Sequence, residues 1–168
     1  MAESAITIVR AGLERVDDLE PLWGALQVHH AELAPTLKGA RARSAEEAWT
    51  LRRRKYLTAL AEPDAFVIIA EQAARAVGYA VVTVGEGPSG WDLGERVAEV
   101  ETLAVLPEAR GRGVGTRLMD AVEAELPRLG IAMFGVLVIA ANEEAMRFYE
   151  ERGLTPVSRV LIGRVGCR

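Results

Sequence analysis

The sequence is poor in cysteine, in basic excess and in long apolar runs, which are the features of disulfide-rich, nucleic-acid-binding and membrane proteins. It contains one cysteine, Cys167, which can close no internal disulfide and assemble no zinc site by itself. Lysine and arginine number 20 against 24 aspartates and glutamates, whereas a nucleic-acid surface needs a basic excess. No apolar run has the length of a membrane span, and the N-terminus lacks the basic start of a signal peptide. We therefore expect a soluble, cytoplasmic protein with no metal, nucleic-acid or membrane partner.

What is present suffices for one ordinary domain over residues 1–168, because half of the 168 residues are hydrophobic and no linker divides the chain. The apolar spacing predicts the order strand, two helices, three strands, helix, strand, helix, strand. This order predicts a mixed α/β fold, with a largely antiparallel sheet, a late βαβ crossover and helices on both faces. The predicted strands cover residues 5–12, 66–71, 76–84, 96–106, 133–140 and 155–163.

Three glycines at alternate positions precede an amphipathic run. Gly111, Gly113 and Gly115 stand in the stretch ARGRGVGT. Glycines at the start of a helix let the chain turn tightly and let phosphate oxygens reach its unpaired N–H groups. The lysine of a P-loop and the spacing of a Rossmann turn are both missing. Taken alone, the pattern also fits a purely structural turn.

The pattern R-x-x-G-x-G, with LAV upstream and N…A…FYEERGL downstream, resembles the GNAT superfamily of acyl-CoA-dependent N-acetyltransferases. The resemblance implies acetyl-CoA as co-substrate, with its pyrophosphate on the turn from Arg110 to Thr116. It also implies that one strand splays from its parallel neighbour and pairs its backbone with the pantetheine arm. Arg112 is either a phosphate contact or a solvated arginine. The implied cofactor-binding residues are Leu103, Ala104, Val105, Arg110, Gly111, Arg112, Gly113, Val114, Gly115, Thr116 and Asn142.

Asn142 and Tyr149 are seven positions apart and so share one face of a helix. The residues alone are compatible with a helix N-cap and a half-buried tyrosine. The resemblance implies more, namely that Asn142 also contacts the cofactor arm and that the Tyr149 hydroxyl protonates the departing thiolate.

A primary amine must lose a proton before it can attack a thioester. Strand alternation in AEVETLAV puts Glu99, Glu101 and Leu103 on one face and the intervening residues on the other. Either glutamate could accept a proton through a water or attract a cationic amine, and the competing interpretation is two solvated glutamates. A bulge, which the family often has here, would alter which residue faces the cleft.

We therefore predict an N-acetyltransferase that passes acetyl directly to a primary amine in a ternary complex. The alternative is a non-catalytic acyl-CoA-binding or regulatory domain. The acceptor stays open among antibiotics, polyamines, amino acids and protein amino-termini. Residues 29–44 and 85–96 are expected to shape its pocket, and a homodimer is among the expected partners.

A basic run, a histidine pair and a loop tryptophan remain outside these motifs. The basic run from Arg52 to Lys55 is interpreted as a solvated face. His29 and His30 are interpreted as a partly exposed pair, and the alternative is that one of them reaches the acceptor cleft as a base. Trp91, in a glycine-rich loop, either covers the acceptor site or a partner, or packs locally.

Overall fold

The computed structural model describes residues 5–33, 40–163 and 165–166. One five-stranded sheet runs in the order β1-β2-β3-β4-β5, antiparallel except for the parallel pair of β4 and β5. The predicted mixed α/β fold is confirmed. The elements are β1 (Ile6–Ala11), α1 (Glu20–Leu33), α2 (Ala45–Ala59), β2 (Phe66–Gln72), β3 (Arg75–Glu86), β4 (Arg96–Val105), α3 (Val114–Glu125), β5 (Phe134–Val136) and α4 (Glu143–Glu151).

Helix α2 begins at a capping box and turns an aromatic stripe to the core. The Ser44 hydroxyl accepts from the Glu47 N–H at 3.1 Å, and the Glu47 carboxylate accepts from the Ser44 N–H at 3.0 Å. Trp49, Tyr56 and Leu60 are buried in the core, as their spacing predicts. Helices α1 and α2 thereby cover one face of the sheet, and α3 packs on the other.

Gly78 in β3 lies directly beneath α3. A Cβ at this position would stand 3.1 Å from the Ala104 carbonyl oxygen and from side-chain carbons of Val114 and Leu118. Glycine therefore allows the helix to approach the sheet closely.

Two strand predictions near the C-terminus are wrong. Residues 155–163 form no strand and are exposed, and the strand expected over 133–140 is limited to β5. A strand requires a partner for its backbone groups. Because the closing segment does not pair with β5, residues 137–140 have no ladder to extend.

Candidate active site

Strands β4 and β5 separate partway along β4. Their parallel pairing starts at Ala98 with Phe134 and ends at Val100 with Val136. Beyond that point, β4 from Leu103 to Val105 still pairs with β3. In the described part of the chain, no strand pairs with the other edge of this stretch. An unpaired edge of this kind can accept an extended amide-bearing molecule, so the opening has the predicted splayed geometry.

The glycine turn follows at the end of β4. Gly111 and Gly113 have φ values of +68° and +72°, a left-handed conformation that glycine adopts without strain. Apart from each glycine's own chain neighbours, no atom of the described residues lies within 4 Å of where their Cβ atoms would be, so the space beside the turn is open. The Arg117 N–H donates to the Gly113 carbonyl at 3.0 Å, and helix geometry leaves the N–H groups before Arg117 outside the helical ladder. The turn therefore fits a pyrophosphate.

Gly115 differs from the other two glycines because it lies inside α3. A Cβ there would contact the Phe148 ring at 3.7 Å, an ordinary distance. Its place in the motif thus marks where α4 packs against the first turn of α3.

The two arginines of the turn both have contacts with protein atoms. The Arg110 Nε–H donates to the Val105 carbonyl at 3.1 Å and so connects the turn to the end of β4. Arg112 Nη1 lies 3.4 Å from the Gln72 amide oxygen. Both arginines remain exposed at the mouth of the turn.

Asn142 and Tyr149 occupy the two ends of α4. The Asn142 Oδ1 accepts from the Ala145 N–H at 3.1 Å, which confirms the predicted N-cap. Tyr149 is 7% exposed, and its ring lies 5.1 Å from that of Phe148. Burial raises the pKa of Tyr149 to about 12. The phenol is therefore protonated at neutral pH and able to donate.

The predicted faces of β4 need a correction at Glu101. Val82 of β3 pairs with Val100, and the neighbouring Val81 pairs with Thr102, which leaves Glu101 as an extra residue in β4. Adjacent residues of β3 point to opposite faces, so Val100 and Thr102 do too. Simple alternation is therefore broken at this bulge.

The bulge turns Glu101 and Thr102 to the same face, toward α2. Thr102 accepts from the Tyr56 hydroxyl at 2.5 Å, and Glu101 forms an ion pair with Lys55. Leu103 lies opposite Ala80, on the α3 face. The prediction that Leu103 shares the face of Glu101 is therefore wrong.

Glu99 and Glu101 nevertheless remain on one face, because Glu99 pairs with Thr83, two residues from Val81. The Glu99 side chain is exposed, whereas that of Glu101 is 13% exposed. Glu101 is also the first residue beyond the last pair between β4 and β5. It therefore stands at the opening, while Glu99 stands where the strands are still joined.

Arg52 and Lys55 are site residues that the sequence analysis missed. Arg52 Nη1 lies 3.9 Å from a Glu101 carboxylate oxygen, and the Arg52 guanidinium stands 4.1 Å from the centre of the Trp23 ring. The interpretation of this run as a solvated face is wrong for Arg52, whose side chain is 24% exposed, and is confirmed for Lys55, whose side chain is 54% exposed. A signal was available, since Arg52 is four positions before Tyr56 and thus on the buried stripe of α2.

A cavity of about 440 Å³ opens between α1 and α2. Its walls include His30 from α1, residues 40–43, Arg52 and Lys55 from α2, and Ile139. Residues 30, 31 and 40–43 belong to the first predicted pocket segment, and residues 34–39 lie outside the described residues.

No residue of 85–96 lines this cavity, and the part of that segment in the acceptor pocket stays a prediction. Trp91 does not pack locally, because it is 78% exposed.

His30 and His29 are both half-buried. Burial is the main cause that lowers the pKa of His30, and His29 and Arg52 lower it further. His30 is thus uncharged at neutral pH.

Over residues 5–33, 40–163 and 165–166, no three or more histidine, cysteine or acidic side chains form a group that could hold a metal ion. Over the same ranges, no helix has both the length and the apolar character needed to cross a bilayer. Cys167 is not among the described residues.

The comparison with known families decides the assignment. The Acetyltransferase (GNAT) family model matches residues 28–154, which include the opening, the turn and α4. The chain belongs to this family. The predicted family is thereby confirmed, and it is a family of acetyltransferases.

A mycothiol acetyltransferase from Propionibacterium freudenreichii subsp. shermanii is 31% identical over 148 residues, covering 86% of this chain and 42% of that protein. The chain thus spans less than half the length of this relative.

Two solved structures share the fold at 20% identity. A GCN5-related N-acetyltransferase from Ralstonia eutropha JMP134 has a TM-score of 0.75, covering 96% of this chain and all of that one. An aminoglycoside N-acetyltransferase in complex with CoA has a TM-score of 0.68, covering 99% of this chain and 98% of that one.

Proposed function

We propose that this chain, as a single acyl-CoA N-acyltransferase domain, transfers acetyl from acetyl-CoA directly to a primary amine. The observation that carries the proposal is the unpaired edge of β4, which leads within a few residues into an open glycine turn at a helix N-terminus. Family membership and the acetyltransferase relatives support acetyl transfer, and the CoA complex of a fold neighbour supports the co-substrate.

The co-substrate would lie along the opening. The backbone of Leu103, Ala104 and Val105 would pair with the pantetheine arm, and Asn142 would contact the same arm beside its capping bond. Free N–H groups and the helix dipole would hold the pyrophosphate. The residues proposed for that role are Arg110, Gly111, Arg112, Gly113, Val114, Gly115 and Thr116.

The transfer would form a bond from the amine nitrogen to the acetyl carbonyl carbon while the carbon–sulfur bond breaks. A backbone N–H near Val105 would stabilise the oxyanion. Tyr149 would donate its proton to the departing sulfur. The phenol keeps its proton at neutral pH, so a proton is available for this step.

The proton that the amine loses would pass to a carboxylate of β4, through a water. Glu99 and Glu101 are both proposed for this role, and the position of Glu101 at the bulge favours it. A homodimer and a cytoplasmic location stay predictions, of which the first is checked by sedimentation.

The experiment offers acetyl-CoA and a panel of primary amines to the purified chain and measures thiol release. We expect at least one amine to raise release well above hydrolysis. Tyr149→Phe should lower kcat about 10-fold to 100-fold with CoA affinity unchanged within about twofold. If CoA binds and no amine increases release, the chain is a non-catalytic acyl-CoA-binding domain.

A further inference from the structure

The cavity between α1 and α2 has a basic wall. Arg41, Arg43, Arg52 and Lys55 line it together with the uncharged His30, and among the described residues no aspartate or glutamate does. This contrasts with the whole chain, whose net charge is −4. The cavity therefore concentrates positive charge in an otherwise acidic protein.

The ion pairs of the described residues neutralise only part of that charge. Arg41 pairs with Glu47 at 3.0 Å, and Arg52 and Lys55 share the single carboxylate of Glu101. Two carboxylates thus face four permanent cations, counting Arg43, and the difference leaves about two positive charges. An anion entering the cavity would supply the missing counter-charge.

Arg52 is held in place before any ligand arrives. Its guanidinium stands 4.1 Å from the centre of the Trp23 ring and 5.5 Å from that of Tyr56, and its side chain is 24% exposed. These two cation–π contacts restrain the guanidinium, whose planar set of N–H donors suits a carboxylate. A restrained arginine loses less entropy on binding than a solvated one.

The basic wall is connected to the reaction opening through Glu101. Arg52 and Lys55 both contact the carboxylate of Glu101, which stands at the bulge where β4 leaves β5. A molecule seated in the cavity therefore lies next to the strand proposed to hold the thioester.

We propose that the cavity binds the acceptor through a carboxylate, so that the acceptor is a primary amine carrying this group, such as an amino acid or a short peptide with a free C-terminus. This inference rests on the proposed function and specifies its acceptor. A polyamine or another polycation would meet uncompensated positive charge in the same place and bind weakly.

The test compares matched amines at saturating acetyl-CoA. Alanylalanine should give a kcat/KM at least about tenfold above that of its C-terminal amide, and spermidine should be poorer still. Equal rates for acid and amide, or a preference for spermidine, would overturn the proposal. Ethanolamine phosphate and ethanolamine form a second pair, and a preference for phosphate without one for carboxylate would overturn it too.

Variants of the cavity wall test whether the cavity causes the preference for the acid over the amide. Arg52→Gln and Arg43→Gln should each reduce the acid-over-amide ratio about fivefold to tenfold, mainly through KM for the acid. Arg43 is exposed, so its variant should fold normally even if loss of Arg52 disturbs packing on Trp23. Arg54→Gln, the same change on the same helix outside the cavity wall, should leave the ratio unchanged. An unaltered ratio in Arg43→Gln and a folded Arg52→Gln would refute the assignment.

A binding measurement separates this inference from the proposed function. N-acetyl-alanylalanine and its amide are titrated by calorimetry into the chain with CoA present. Preferential binding of the acid supports the carboxylate subsite even if no amine is acetylated, whereas equal or absent binding of the acid counts against the subsite. Turnover of amines without an acid preference would leave the transferase proposal standing and remove the carboxylate.

Discussion

The two halves of the candidate site differ in the groups that form them, which are backbone groups in one half and side chains in the other. The proposed cofactor side, from Arg110 to Thr116, consists mainly of backbone N–H groups and glycines with positive φ. The proposed acceptor side consists of charged and aromatic side chains from α1, α2 and the bulge of β4. A backbone site needs only a local sequence, whereas a side-chain site exists only after distant elements have packed. The first can therefore be recognised in a sequence and the second only in a fold.

We expect the largest effect from adding a side chain to the backbone site. Gly113→Glu should weaken CoA binding at least about 100-fold in calorimetry, because φ is +72° and a carboxylate there would repel phosphate. Gly90→Glu is the control, since Gly90 has open space around it and does not have positive φ. Wild-type affinity in the Gly113 variant would refute the phosphate assignment.

A side-chain change should instead affect turnover and leave cofactor binding intact. We expect Glu101→Gln to lower kcat about 10-fold to 100-fold, with the Kd for CoA within about twofold of wild type. Glu99→Gln is the matched control and should change kcat less, because Glu99 lies where β4 and β5 are still paired. The reverse ranking would make Glu99 the proton acceptor. Unchanged kcat in Glu101→Gln would reduce Glu101 to a counter-ion for Arg52 and Lys55.

The smallest expected effect concerns stability at alkaline pH. The pKa of Tyr149 is about 12 in the folded chain and about 10 when unfolded. Its contribution to the unfolding free energy is therefore fully present below pH 10 and is lost as the pH rises toward 12. At pH 11 the wild type should have lost about 1.4 kcal/mol of unfolding free energy from this residue.

Urea unfolding at pH 8 and pH 11 checks this, with Tyr149→Phe as the reference. The variant should retain the loss caused by Tyr56 and Tyr79, whose pKa values burial also raises, and lack the part due to Tyr149. Equal losses in the two proteins would mean that the Tyr149 phenol ionises freely in the folded state.

The sequence predicted correctly those features that depend only on residues close together in the chain. The N-cap at Asn142, the turn at Gly113 and the buried stripe of α2 depend on residues within about two helical turns. The same holds for the order of the elements before residue 133.

Features set by distant partners were missed. The bulge at Glu101 exists because of its register against Val81 and Val82, residues about 20 positions earlier. The place of Arg52 depends on α1 bringing Trp23 beneath it. Residues 155–163 have a strand-like sequence, yet a strand forms only where backbone groups find partners.

Gly78 of β3 pairs with Val105 of β4 and lies beneath Val114 of α3, so it helps to set how closely the turn approaches that strand. It allows α3, which carries the turn, to rest on β3 beside the β4 backbone at Ala104. The absence of a Cβ at this position thus lets α3 and β4 lie close together. The room between turn and strand, where the cofactor is proposed to lie, therefore depends in part on a residue of the neighbouring strand β3.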